Sequence, residues 1–156
     1  MLSRKDLVVM ACLRGNARQT LTDMSKRTNI PISTIYDRLK MQEGDVIVKH
    51  TALLDFGKLG FHTRADVVIK VDREQRDSVR EFLMKSLMVN SVFKINNGYD
   101  FLFEGIWRHV KDMEDFLEGL ESRFNIKTRQ VYYIIDDLKK EGFLSDPQTV
   151  DLLNIR

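Results

Sequence analysis

The sequence has little of what several classes of protein require. Cys12 is its only cysteine, so no disulfide can form within the chain, and its apolar surroundings predict a small buried side chain. No apolar run is long enough to cross a membrane, and no apolar signal segment begins the chain. These absences predict a cytoplasmic protein with no membrane partner.

Patterns of catalytic or metal-binding residues are also scarce. His50, His62 and His109 are scattered at spacings that match no zinc site. The segment 57–60 lacks the spacing of a phosphate-binding loop. Adjacent acids such as Asp136-Asp137 point in different directions on a helix and indicate solvated surface. We therefore expect no cofactor, no metal site and no enzymatic activity.

Residues 21–40 carry the clearest signal in the chain. The stretch 21–28 is typical of a short amphipathic helix, and Asn29 tolerates the left-handed conformation that ends a helix. Pro31 prevents simple continuation of that helix, and Ser33 is expected to cap a second one. This order of helix, tight turn and helix predicts a helix-turn-helix, which makes double-stranded DNA the first partner to consider.

The second helix has an apolar side and a polar side. Ile35 and Leu39 are four residues apart, so both should face the core. The side chains left for the other faces are Thr34, Tyr36, Asp37, Arg38 and Lys40. Hydroxyl groups can hold phosphates, and Arg38 is expected to fork onto a guanine edge. The alternative is a solvated helix in a generic three-helix core, which we consider the weaker interpretation.

Charge and periodicity divide the chain into two halves. Residues 1–60 contain ten basic and six acidic side chains, so the positive charge accompanies the helix-turn-helix. Residues 46–51 are rich in β-formers and predict a wing strand. From residue 64 onward, alternating and helical periods follow one another in the order βαββαβ. The fold class is therefore α+β, with a winged helix-turn-helix at 1–51, a connection at 52–63, a ferredoxin-like domain at 64–135 and a tail at 136–156.

Both faces of the last two predicted strands are apolar. An uncovered apolar sheet face favours a second sheet packed on it, most simply from an identical chain. We therefore predict a homodimer. The residues predicted at its interface are Phe101, Phe103, Val131 and Tyr133.

The chain resembles the Lrp/AsnC (feast/famine) transcription regulators, and their archaeal-type members in particular. The resemblance runs from about Leu2 to Ile135 and lies in the order and spacing of several local matches. They include Asn16-Ala17-Arg18, Ile30-Pro31-Ile32-Ser33-Thr34-Ile35, Arg38-Leu39-Lys40 and Asn97-Gly98-Tyr99-Asp100-Phe101-Leu102. The resemblance implies a sequence-specific DNA-binding regulator that dimerises through a C-terminal RAM-type domain, often assembles into tetramers or octamers, and commonly binds an amino acid or a related effector.

The resemblance also implies roles for individual residues. The DNA-facing residues would be Ser33, Thr34, Tyr36, Arg38 and Lys40, with Arg18 and Lys49 as phosphate contacts. The effector-binding residues would be Asn97, Gly98, Tyr99 and Asp100. The family often has Gly-Asp-x-Asp at this loop, so one carboxylate is missing here. Because Asn-Gly also suits a tight turn, a purely structural role for the loop stays open.

An enzyme from another class is the rival interpretation. Siroheme decarboxylases resemble the same two-domain layout, so the fold alone does not decide between them and a regulator. His62 and Arg64 are the residues that could serve a porphyrin carboxylate. The Ser-Thr-x-x-x-Arg surface of the second helix favours the regulator, because a decarboxylase has no need of it.

Overall fold

The computed structural model of the protein describes residues 2–153 and divides into two compact units. The first unit, here called the head, contains the chain up to Ala52 and again from Leu138 onward. The second unit, the sheet domain, contains Leu53–Asp137. No helix in the described part of the chain is long and apolar enough to cross a membrane.

The head is built on three helices. They are α1 (Arg4–Gly15), α2 (Leu21–Thr28) and α3 (Ile32–Gln42). Ser3 caps α1: its hydroxyl accepts the Asp6 N–H, and the Asp6 carboxylate accepts the Ser3 N–H in return. The apolar side of α1 forms a core with Met24 and Ile35, which are fully buried.

Residues 138–153 pack against the helices of the head. This segment, here called the tail, ends in a short 3₁₀ helix, Pro147–Leu153, that lies against α1. Val150 is 4% exposed and belongs to the core of the head, and Leu144 packs against that core. Arginines of the helices meet acidic side chains of the tail in three pairs: Arg4–Asp151 at 2.6 Å, Arg14–Glu141 at 2.9 Å and Arg27–Asp146 at 3.7 Å. The tail is therefore part of the head.

The sheet domain confirms the predicted α+β, βαββαβ layout. Its elements are β1 (Thr63–Val71), α4 (Arg76–Lys85), β2 (Val89–Lys94), β3 (Phe101–Trp107), α5 (Val110–Arg123) and β4 (Ile126–Tyr133). The strands lie in the order β2-β3-β1-β4, and every neighbouring pair is antiparallel. This order follows from the split βαβ connectivity, in which β1 and β3 form the centre of the sheet.

One face of the sheet is covered by the two helices. The strand residues on this face alternate with those on the other face, and the buried ones are Ala65, Val67, Ile69, Val71, Phe101, Phe103 and Trp107. They pack against Val79 and Leu83 of α4 and against the apolar side of α5. The opposite face, here called the outer face, presents the alternate residues of each strand.

Candidate nucleic-acid interface

The turn between α2 and α3 has the geometry that the sequence predicts at Asn29. Asn29 adopts a left-handed conformation with φ of 56°, and its N–H donates to the Ser25 carbonyl at 2.9 Å. The capping prediction at Ser33 is wrong, because α3 begins at Ile32 and Pro31 stands at the capping position. Proline has no side-chain acceptor, so no side-chain cap hydrogen bond is made at the start of α3. Ser33 is exposed in the first turn of α3.

Arg38 ties α3 to the start of α1. Its Nη1 donates to Asp6 Oδ1 at 3.2 Å, and the Asp6 side chain is only 3% exposed. The hydroxyl of Ser3 donates to Asp6 Oδ2 at 2.6 Å. Burial alone would raise the pKa of Asp6, but the hydrogen bonds from Ser3 and Arg38 outweigh it and lower that pKa overall.

This contact changes the role predicted for Arg38. The sequence suggested a guanidinium directed at a guanine edge, but one end of that group lies against a buried carboxylate. The sequence did not predict a role for Asp6, because the first helix is marked mainly by its apolar residues. The pattern Ser3-x-x-Asp6 at the start of that helix is a capping signature that could have found it. Arg38 is therefore a positioning residue for α3.

The other predicted DNA-facing residues lie on the surface of the head. Tyr36 is 54% exposed, Lys40 is exposed and Thr34 is half-buried. Arg18 is exposed in the loop before α2, where its N–H donates to the Asn16 side chain at 3.0 Å. Ile35 is fully buried on the inner side of α3, and the exposed side chains lie on the other sides of the helix. The outward side of α3 is thus available to a partner.

The predicted wing strand does not form. Residues 46–51 contain no strand, and the chain turns back at Gly44, whose φ is 80°. The turn is closed by the Ile47 N–H, which donates to the Gln42 carbonyl at 2.9 Å. A single parallel bridge joins Glu43 and Ile47. The turn ends at Ile47, inside the segment predicted as a strand, and Lys49 lies exposed beyond it.

The predicted dimer interface needs correction, because all four of its residues lie on the face of the sheet that the helices cover. Phe101 is 6% exposed and Phe103 is fully buried in the core of the sheet domain. Val131 is half-buried against the same core, and Tyr133 lies opposite Ala65 on the helix-covered side. Period-two alternation identifies the two faces of a strand, but it cannot say which face the helices cover when both are apolar.

The outer face combines apolar side chains with a charged row. Its apolar residues are Val68, Phe93, Leu102, Ile106 and Tyr132. Phe93 and Tyr132 are each 54% exposed. Arg64 donates to Glu104 at 2.6 Å and to Asp137 at 2.6 Å across this face. Asp66 lies beside Glu104, and burial together with that neighbouring charge raises the pKa of Asp66.

The hairpin loop before β3 is a tight turn. Asn97 and Gly98 both have positive φ, of 61° and 86°. Asp100 accepts the Val71 N–H at 2.9 Å, and its other carboxylate oxygen lies 2.7 Å from Arg76 Nε. Asp100 therefore fixes the end of β3 against β1. The position predicted to hold an effector already has a structural partner at its carboxylate.

The residues considered for enzymatic or metal chemistry do not converge on a site. No cluster of histidine, cysteine or acidic side chains that could hold a metal ion occurs within residues 2–153. His62 is exposed, and Arg64 is engaged by the two carboxylates of the outer face. Cys12 is fully buried, and burial raises the pKa of its thiol.

Known proteins resemble this chain in both of its units. Residues 2–41 match the family model of winged helix-turn-helix DNA-binding domains. The HTH-type transcriptional regulator FL11 of Pyrococcus horikoshii is 27% identical over 122 residues, which are 78% of this chain and 81% of that protein.

Two solved structures show the same fold over nearly the whole chain. AsnC of E. coli superposes with a TM-score of 0.80 at 14% identity, over 92% of this chain and 99% of its own. The transcriptional regulator NMB0573 of Neisseria meningitidis, solved as a complex with L-Met, has a TM-score of 0.82 at 18% identity, covering 90% and 94%.

Proposed function

The chain belongs to the Lrp/AsnC type of DNA-binding transcription regulator, and we propose that it reads specific operators through the outward side of α3. The observation that carries this proposal is the presentation of α3, which is held by Arg38 on its inner side and exposed at Ser33, Tyr36 and Lys40 on its outer side. In helix-turn-helix proteins the second helix lies in the major groove, with its N-terminal residues at the base edges.

The proposed DNA contacts divide into two kinds. Ser33, Thr34 and Tyr36 lie in the first half of α3 and are assigned to the groove. Arg18, Lys40 and Lys49 are exposed cations of the head and are assigned to phosphates.

Selection from random duplex DNA with the full chain tests this function. We expect a palindromic motif, because a dimer presents two copies of α3 related by a twofold axis. A folded protein that enriches no motif would contradict the proposal.

Salt dependence tests the phosphate contacts separately. Lys49→Ala should lower the slope of log affinity against log salt by about 0.9, as expected for one lost phosphate contact. Lys111→Ala is the matched control, since Lys111 is equally a surface lysine but lies on α5 of the sheet domain. An unchanged slope for Lys49→Ala would remove this residue from the interface.

We also propose that the outer face pairs with the same face of a second copy. Neither α4 nor α5 packs on this face, which carries exposed aromatic side chains at Phe93 and Tyr132. Tyr132 and Tyr133 offer a matched test, because they are adjacent, similarly exposed at 54% and 49%, and directed to opposite faces. Tyr132→Glu should weaken association in light scattering, whereas Tyr133→Glu should not. A wild-type monomer at micromolar concentration would contradict the pairing.

The effector proposal rests on the hairpin loop and on the neighbouring fold that was solved with L-Met. We assign a small amino-acid-like effector to the loop Asn97–Asp100, with Asn97 and Tyr99 as its contacts because the Asp100 carboxylate is engaged. Calorimetric titration with the amino acids, repeated on Asn97→Ala, measures this directly. Absence of heat with every amino acid would contradict it.

The decarboxylase alternative has less support. Its candidate cation, Arg64, already contacts Glu104 and Asp137, so a porphyrin carboxylate would have to displace both. The relative FL11 is named as a transcription regulator. A Soret band after incubation with a tetrapyrrole would favour the enzyme over the regulator.

A further inference from the structure

Among the exposed side chains of α3, only Lys40 is of a type that commonly makes bidentate contacts to purine edges, and it lies in the second half of the helix. The exposed residues of α3 are Ile32, Ser33, Tyr36, Asp37, Lys40 and Met41. Arginine and lysine make bidentate hydrogen bonds to guanine, and asparagine and glutamine make them to adenine. The other two side chains of this kind on α3 are engaged or buried, since Arg38 contacts Asp6 and Gln42 is 9% exposed. The first half of α3 therefore offers no side chain of this kind to the bases.

Two exposed apolar side chains lie near the start of α3. Ile32 is 45% exposed and Tyr36 is 54% exposed. The two residues are four apart, so they lie one above the other on the same side of the helix. Both belong to the first half of α3, which is the part that helix-turn-helix proteins direct at bases.

The surroundings of this pair suit DNA better than an apolar protein surface. Lys40 continues the same stripe one turn later, and Ser33 places a hydroxyl beside it. A stripe with an apolar start and a cationic end matches a groove that offers methyl groups and is bordered by phosphates. The only apolar group on a base edge in the major groove is the C5-methyl of thymine.

We propose that Ile32 and Tyr36 read thymine by contact with its C5-methyl group, an inference that rests on the proposed DNA-binding function. Thymine methyls within each half-site then determine which sequence α3 accepts. Lys40 adds affinity at the end of the stripe, and Arg38 keeps the helix in register through Asp6.

Replacing thymine by deoxyuridine isolates this contact. The substitution removes one methyl and keeps every hydrogen bond of the base pair. With the full chain and its selected operator, each thymine is replaced in turn and the affinity is measured by fluorescence anisotropy. We expect a loss of about fourfold at the contacted positions, the size expected for one buried methyl group.

Variants of α3 connect that loss to the named side chains. In the double variant Ile32→Ala with Tyr36→Ala, the operator with deoxyuridine should bind as well as the operator with thymine. Tyr36→Phe should keep the discrimination, because the ring remains. Met41→Ala is the control: Met41 is 67% exposed on the same helix, outside the stripe, and the variant should keep the fourfold difference. All three residues are exposed, so folding is not at risk.

The possible outcomes test the recognition of thymine methyl groups separately from sequence-specific DNA binding. A selected operator that tolerates deoxyuridine at every position would overturn methyl readout and leave sequence-specific DNA binding intact. Discrimination that survives in the Ile32→Ala, Tyr36→Ala variant would also overturn it, because other residues would then read the methyl. Failure to select any operator would overturn both.

Discussion

The head and the sheet domain complete their cores in different ways. The buried core of the sheet domain comes from one continuous stretch, from Ala65 to Leu120. The head draws on its three helices and then on Val150, more than a hundred residues beyond the end of α3. A short helical head buries too little apolar surface by itself, so a distant segment contributes the remainder. The core of the unit that carries the helix-turn-helix therefore depends on a segment that is distant along the chain.

The two units also differ in what surrounds a carboxylate that is shielded from solvent. In the head, the buried carboxylate of Asp6 is fully supplied with donors from Ser3 and Arg38. On the outer face of the sheet domain, Asp66 lies beside the carboxylate of Glu104. The first arrangement fixes one helix against another, whereas the second leaves a carboxylate whose surroundings favour its protonated form. The comparison predicts opposite responses to mutation and to acid.

Deletion of the tail should produce the largest difference in stability between the head and the sheet domain. Removing residues 138–156 takes away Val150 and Leu144, and burial of such side chains contributes about 1.5–3 kcal/mol each. We expect the head to lose roughly 3–5 kcal/mol while the sheet domain keeps its stability. Hydrogen exchange should show lost protection in α1–α3 and retained protection in β1–β4. Leu152→Ala, at a 77% exposed site on the same segment, is the control; equal loss of protection in both units would contradict this assignment.

Replacing Arg38 should weaken DNA binding because α3 is no longer held in position, and not because a base contact is lost. Arg38→Ala leaves the buried Asp6 without its cation and should cost about 1.5–3 kcal/mol, the usual range for a hydrogen bond to a charged group. DNA affinity should fall on every sequence alike, with the selected motif unchanged. Arg38→Lys should restore part of both, and Lys40→Ala should leave stability within about 0.5 kcal/mol. Relaxed base preference at one position would instead make Arg38 a base reader.

Replacing Gly105 by alanine should lower the stability of the sheet domain and leave that of the head unchanged. A Cβ added there would overlap the indole ring of Trp107, which is 2% exposed and cannot move aside freely. We expect Gly105→Ala to destabilise this unit by about 1–3 kcal/mol, the usual size of overpacking. At Gly119 on α5 nothing lies within 4 Å of an added Cβ, so Gly119→Ala should stabilise by about 0.5–1 kcal/mol. Thermal unfolding of the pair checks the sign, and equal effects would contradict the close contact.

Acid should have the smallest effect, with opposite signs in the two units. The pKa of Asp6 is below its ordinary value of 3.8, so its contribution is present above that pH and is lost as pH falls through the lowered value. The pKa of Asp66 is above 3.8, so its penalty is relieved as pH falls through the raised value. Urea unfolding of Asp6→Asn and Asp66→Asn between pH 3 and pH 6 should show these slopes reduced relative to wild type. Parallel slopes for both variants would contradict the assignment.

The sequence predicted the features that local chemistry determines. Asn29 and Asn97-Gly98 adopt the positive φ values that these residue types favour, and the alternation in β1 and β3 is present. The outcome differed wherever a distant partner decides. Arg38 turns inward because Asp6 is there, and the apolar residues of β3 are divided between two faces by the positions of α4 and α5. Neither partner can be identified from spacing within the segment itself.

The most direct test of the proposed division, in which the head reads DNA and the sheet domain pairs two copies, compares the affinity for a palindromic operator with that for a single half-site. Wild type should prefer the palindrome by at least about 100-fold, since two linked heads bind together. Phe93→Glu places a charge on the outer face at a 54% exposed site and should reduce the protein to its half-site affinity without unfolding it. If this variant becomes monomeric and keeps the full preference for the palindrome, the account of two cooperating units is contradicted.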